Sequence, residues 1–148
     1  EHIYHTSTVA GLKLTGSTNI SDTLVLDKQM SFDFSGQAAE ANVKGIERVD
    51  ITGVANSGSA NSIKLSLASL MQADVVSAVV NGQPTNVHRL FIDGDANDAV
   101  LLNSTLGIQS NHVEPIQGTG VLSGYNVYHF GDAELLIQRS ITNITFTG

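Results

Sequence analysis

The stretch NSIKLSLASLMQADVVSAVVNGQP, residues 61–84, decides how the chain is read. Its first part alternates, with Ile63, Leu65 and Leu67 separated by Lys64 and Ser66. A period of two is the mark of a half-buried strand. The second part changes period. Leu67, Leu70, Met71, Val75, Ala78 and Val79 recur near every 3.6 residues, which predicts an amphipathic helix. Ser69 with Gln72 offers a capping box, with a start one turn earlier as the alternative. Asn81 and Gly82 supply a C-terminal stop, and Pro84 blocks continuation.

Outward from there the chain reads as strands. SFDFSG (31–36) alternates Phe32 and Phe34 with Ser31 and Asp33. ERVDITG (47–53) alternates Val49 and Ile51 with Arg48, Asp50 and Thr52. DTLVLD (22–27) and AVLL (99–102) are continuous apolar runs, suited to strands covered on both faces. YNVYHF (125–130), then Gly131 and Asp132, then AELLIQR (133–139) predict a hairpin. GVANSGSAN (53–61) is a loop too short for an interdomain linker, and no fixed-period repeat is evident. The expected fold is mainly β, a β-sandwich with one inserted α-helix, forming a single domain over residues 1–148 of a larger chain.

Composition narrows the function classes. With 148 residues, 41% hydrophobic and 14% charged, the chain can build a core and is too apolar for disorder. Fourteen acidic and seven basic residues give a net charge of −7, which excludes nucleic acid as a partner and offers no basic patch to anionic lipid. No apolar run approaches the ~20 residues of a membrane span, so no membrane insertion is expected. EHIYHTST at the start lacks the regions of a signal peptide, which fits a piece of a longer protein or export without an N-terminal signal. Cysteine is absent, which removes disulfides, zinc–thiolate sites and Cys nucleophiles, and leaves bound metal as the available staple. No nucleophile elbow is present, Glu114 has no carboxylate partner, and no enzyme activity is expected.

The chemistry concentrates in FIDGDANDAVLL (91–102). Asp93, Asp95 and Asn97 stand at alternate positions, as the first ligands of a calcium loop do, and the ion would cancel their repulsion. Asp98 at the sixth position and Ser104 at the twelfth exclude an EF-hand. A solvated acidic turn is the other reading.

Taken in order, SDTLVLD, SFDFSG, GIERVDITG, NSIKLSLASLM, LFIDGDANDAVLL and GYNVYHFGDAELLI resemble a β-sandwich module of large bacterial RTX adhesins, surface proteins exported by type I secretion. The likeness runs over about residues 20–141, and GIERVDITG and IDGDANDAV are its most specific parts. It implies Ca²⁺ held by loops at the ends of the fold. Asp93, Asp95 and Asp98 are the first ligands implied; Glu47 follows, with an exposed pairing to Arg48 or Lys44 as its other reading, and Asp22 and Asp27 would serve either a second site or a plain turn. Asn97 replaces the family's usual Gly and either adds a ligand oxygen or only lengthens the side chain, whereas Glu134 and Gln138 replace its Thr and Asp. The first nineteen residues have no counterpart, and His2 and His5 are expected to be a free tail. Asp74, inside the expected helix, has no acidic neighbour in sequence.

The function implied is an extracellular ligand-binding module at the bacterial cell surface, serving adhesion or biofilm formation. Its ligand would be a peptide or protein C-terminus gripped through Ca²⁺, and the module would be monomeric. A glycan ligand and a calcium-rigidified spacer are the alternatives. The ligand surface would come from the polar segment 103–124, with Asn111 in it, and from Tyr125 or Tyr128, which face opposite ways if their segment is a strand.

Overall fold

The computed structural model describes residues 2–6, 14–17, 21–27, 31–34, 43–53, 60–80, 82–103, 116–117, 122–130 and 132–147. The alternating segments all become strands. In the larger sheet β1 (His2–Thr6), β3 (Asp22–Leu26), β6 (Arg48–Asp50), β9 (Gln83–Asp93) and β13 (Ala133–Gln138) lie side by side, each parallel to the next. β12 (Tyr125–Phe130) and β11 (Ile116–Gln117) extend it antiparallel, and β8 (Val75–Val80) pairs antiparallel with the first half of β9. A second sheet holds β4 (Ser31–Asp33), β7 (Ser62–Leu65), β10 (Ala99–Asn103) and β14 (Asn143–Thr147), all parallel.

From β3 onward, leaving aside the two-residue strands and the hairpin strands β8 and β12, the described strands alternate between the two sheets: β3, β4, β6, β7, β9, β10, β13, β14. Parallel neighbours need a crossover. Here the opposite sheet supplies it, which gives a solenoid-like winding. Leu24, Val49, Ile92 and Ile137 are register partners across the larger sheet, and Phe32, Ile63 and Val100 across the smaller. All seven are at most 2% exposed and belong to one core. Each such aliphatic side chain contributes about 1.5–3 kcal/mol by leaving water.

The chain is therefore mainly β, as its alternation predicts. Its sheets are largely parallel, which is not the strand arrangement of an immunoglobulin-type sandwich. The winding has no fixed period because its turns differ in length. His2 pairs with Asp22, Thr23 with Arg48, Arg48 with Phe91 and Phe91 with Leu136, steps of 20, 25, 43 and 45 residues.

The expected helix is replaced. Only Leu67–Leu70 forms a helical turn, α1. Ser66 is its N-cap: its Oγ accepts from Ser69 N–H, and Ser69 Oγ accepts from Ser66 N–H. The capping box is thus Ser66 with Ser69, the earlier of the two starts. Residues 75–80 are strand β8 instead. Four of those six are valine, whose β-branched side chains fit a pleated sheet better than a helix, and β9 offers a full ladder. Gly82, at φ 79°, lies in the two-residue connection of this hairpin. Asn81 with Gly82 is accordingly a hairpin signal and not a helix stop.

A third side of the winding places the candidate site. β2 (Leu14–Thr15) and β5 (Val43–Lys44) pair in parallel. Gly16 N–H then donates to Lys44 O, and Gly45 N–H to Gln72 O just past α1. Backbone hydrogen bonds stitch successive turns of chain there.

Candidate functional site

The acidic loop is a set of diverging carboxylates. Asp98 is fully buried, and its oxygens accept from Asn61 N–H at 2.9 Å and Asp95 N–H at 2.8 Å. Burial raises its pKa, and those two backbone donors oppose the rise. Asp95 Oδ1 accepts from Asn97 N–H at 2.9 Å, a local turn bond. Asp93 faces the other way. Its carboxylate accepts from Arg48 Nη1 at 2.6 Å and from the Tyr125 hydroxyl. Donors of the chain itself thus make the crowding tolerable. Gly94 has no room for a side chain, since a Cβ would come within 2.8 Å of Ile141 Cδ1 and 2.9 Å of Asp98 Oδ2. Gln138 secures the loop by accepting from Gly94 N–H.

On the outer face of the larger sheet Arg48 lies over the Phe91 ring, 4.4 Å from its centroid, with Tyr125 edge-on to Phe91. Burial opposes the charge on Arg48, but the hydrogen bonds of Asp93 and Tyr125 outweigh it and hold its pKa above the ordinary value. Burial and Asp93 together push the Tyr125 hydroxyl up. Tyr128 points to the opposite face, as alternation requires, and at 5% exposure packs into the core. Asn111 lies outside the described residues. Glu134 is a further buried carboxylate, satisfied by Arg89 Nε at 2.5 Å and His129 Nε2 at 2.9 Å.

A different group of carboxylates is not satisfied in this way. β9 carries β8 along the first half of one edge and β6 along the last part of the same edge. The two strands begin head to head. Asp74, just ahead of β8, accepts from Arg89 N–H through its carbonyl; Glu47, just ahead of β6, accepts from Phe91 N–H through its own. Their side chains meet at the seam. Glu47 Oε2 accepts from Asp22 N–H at 2.6 Å, but Glu47 Oε1 is buried with no hydrogen-bond partner. Burial raises the Glu47 pKa to about 7, and the adjacent Asp74 carboxyl adds to the rise. Two carboxylates in contact need a shared proton or a cation between them.

Asp22 backs this pair. It is fully buried, and its carboxylate accepts from Ser17 N–H and pairs with His2 Nδ1 at 3.0 Å. Gly16 makes the close approach possible: a Cβ there would fall 1.9 Å from Gly45 O and 2.6 Å from Asp22 Oδ2. His2 and His5 are not a free tail. β1 is an edge strand, and His5 pairs with Asp27 at 2.7 Å.

The structure thus brings Asp22 and Glu47 together and separates them from Asp93, Asp95, Asn97 and Asp98. It adds Asp74, which is not isolated; no spacing rule links residues 47 and 74. The carboxylates at the seam offer oxygen, the hard ligand that Ca²⁺ prefers, and one of these oxygens, Glu47 Oε1, is buried without a hydrogen-bond partner. The ligands fit calcium in kind. Their distances do not close around an ion as they stand, for among the described residues no three His, Cys, Asp or Glu are so grouped. No family model, curated protein or solved structure matches the chain.

Proposed function

We propose that the chain is a calcium-dependent module of a bacterial surface adhesin of the RTX type, and that Glu47 and Asp74 hold the ion. The observation that carries this is Glu47 Oε1, buried without a donor beside a second carboxyl. Asp22 would orient Glu47 through its backbone N–H, and the close backbone packing of Gly16 against Gly45 would hold Asp22 in place behind it. When bound, Ca²⁺ would supply the positive charge that these oxygens lack and would clamp the starts of β6 and β8. Its role would be to stiffen the winding, as in a load-bearing domain at the cell surface.

The loop 93–98 supports this role less well, because its oxygens already accept from Arg48, Tyr125 and backbone N–H groups. Direct capture of a peptide carboxylate by an ion in that loop finds no support. A ligand would instead be recognised by outward side chains such as Tyr125. Calorimetric titration with CaCl₂ tests the reading. Asp74→Asn and Glu47→Gln should each weaken binding at least tenfold, and Asp95→Asn should not. The reverse pattern, or no heat with the unsubstituted chain, would refute it.

A further inference from the structure

Strand β1 follows β3 in parallel register over its whole length, and β3 is its one ladder neighbour among the described residues. His2, Ile3 and His5 are exposed; Tyr4 packs against the core from a half-buried position, and Thr6 is buried. An edge strand that buries so little opens at the low end of the local-stability range.

The first residue of β1 reaches the Glu47–Asp74 seam through a single intermediary, Asp22. His2 N–H donates to Ser21 O at 3.1 Å, and His2 Nδ1 pairs with Asp22 Oδ1 at 3.0 Å. Ser17 N–H serves the other Asp22 oxygen. On the far edge of β3 the Asp22 backbone is tied to Glu47 in both directions. Asp22 N–H donates to Glu47 Oε2 at 2.6 Å, and Glu47 N–H donates to Asp22 O at 3.2 Å. The imidazole is thus one of two donors to a fully buried carboxylate, and the residue that carries this carboxylate fixes Glu47. Without His2, Asp22 Oδ1 is left unpaired in the interior, which is costly. Asp22 then shifts to find another donor, and Glu47 shifts with it.

We propose that β1 is a strap on the calcium site: through the relay His2–Asp22–Glu47, docking of β1 and binding of calcium at Glu47 and Asp74 strengthen each other. This rests on the calcium reading and assigns its regulation. His2 is a positioning residue and touches no ion. A docked β1 holds Asp22 where Glu47 needs it, and an ion-bound Glu47 holds Asp22 where β1 needs it. By linkage, the factor by which calcium favours docking is the factor by which docking favours calcium. The hydrogen bond carries the coupling. The ring's charge does not, because the His2 side chain is 50% exposed and salt screens it. Withdrawal of calcium therefore frees β1 ahead of the rest of the fold and bares the edge of β3.

Hydrogen–deuterium exchange of the purified chain, with CaCl₂ and with chelator, tests this by mass spectrometry. β14 is the internal control. It too is five residues long and parallel to one strand, β10, but it lies in the other sheet. Calcium should slow exchange in β1 at least about fivefold more than in β14, and Asp74→Asn should abolish the difference. Calorimetric titration reads the reciprocal half. His2→Ala should weaken calcium binding by about the same factor. His2→Asn, whose side-chain amide N–H takes the place of the ring N–H, should retain it. The exchange comparison needs no change at His2, so it decides if His2→Ala does not fold. Equal slowing in β1 and β14, calcium affinity unchanged by His2→Ala, or equal losses in His2→Ala and His2→Asn would each overturn the strap and leave the calcium reading standing. No calcium heat from the unsubstituted chain would overturn both.

Discussion

Glu47→Gln is the most informative substitution, because it removes a charge and keeps the shape. In the calcium-free fold the Glu47 pKa is raised from 4.5 to about 7 by burial and by Asp74. At 1.36 kcal/mol per pKa unit, that rise corresponds to about 3 kcal/mol at most. The sign follows from which state holds the proton. Between pH 4.5 and 7 the folded chain keeps the Glu47 proton and the unfolded chain has lost it. The stabilisation is full below 4.5 and is lost as pH rises through 7. Calcium-free protein should therefore be less stable at pH 8 than at pH 5. Calcium at a hundred times its Kd should restore about 2.7 kcal/mol at pH 8 by replacing the proton. In a domain of this size that is a shift of about 6–10 °C in Tm. Glu47→Gln should cancel both effects. Urea unfolding of both proteins at pH 5 and 8, with calcium and with chelator, isolates Glu47 from the other titrating groups as a difference of differences. An equal pH dependence in the two proteins, or a calcium gain retained by Glu47→Gln, would refute the reasoning.

Other substitutions read the remaining contacts. Asp98→Ala strands a buried donor, Asn61 N–H, and a part-buried one, Asp95 N–H, and should cost about 2–3 kcal/mol in urea unfolding. Asp95→Ala loses a single exposed turn bond and should cost under about 1 kcal/mol, leaving the calcium response unchanged. Gly16→Ala forces a Cβ to 1.9 Å from Gly45 O, so the calcium response in thermal melts should be lost together with a large part of the stability. Arg48→Met removes the partner that lowers the Tyr125 pKa while Asp93 remains, so ultraviolet titration should find that hydroxyl ionising at still higher pH.

The strands were legible because each obeys a local rule. Val49 and Ile51, or Ile63 and Leu65, alternate with polar neighbours whether their sheet is parallel or antiparallel. The pairing was not legible for the same reason: alternation says which face is buried and nothing about the neighbour. The helix was misread because LASLMQADVVSAVV satisfies two periods at once. Leucine and methionine at 3.6 spacing continue into paired valines, 75–76 and 79–80, in an almost continuous apolar run that fits a strand as well as a helix, and Asp74 marks the change. The β-branched composition of 75–80 was the signal to weigh, together with Asn81 and Gly82, which suit a hairpin of exactly the two-residue kind found between Val80 and Gln83.

The site was harder to see, and the reason is the winding itself. Sequence spacing exposes groups that are close along the chain, so Asp93, Asp95 and Asp98 drew the eye. Within a strand and its turn, however, adjacent acids are sent to different sides: Asp93 outward to Arg48, Asp98 inward to Asn61. Between turns of the winding, partners lie 20 to 45 residues apart along the chain. Asp22, Glu47 and Asp74 belong to this second class. Asp22 and Glu47 open successive parallel strands, and Glu47 and Asp74 begin two strands that abut on one edge of β9. Three strand starts thus bring three carboxyl groups to one corner, where local backbone N–H groups reach Asp22 and one oxygen of Glu47 but leave Glu47 Oε1 bare. A fold that only needed a turn there would have no use for acids on all three chains. A cation bridging the seam, as proposed, would account for Glu47 and Asp74, with Asp22 as the support behind them.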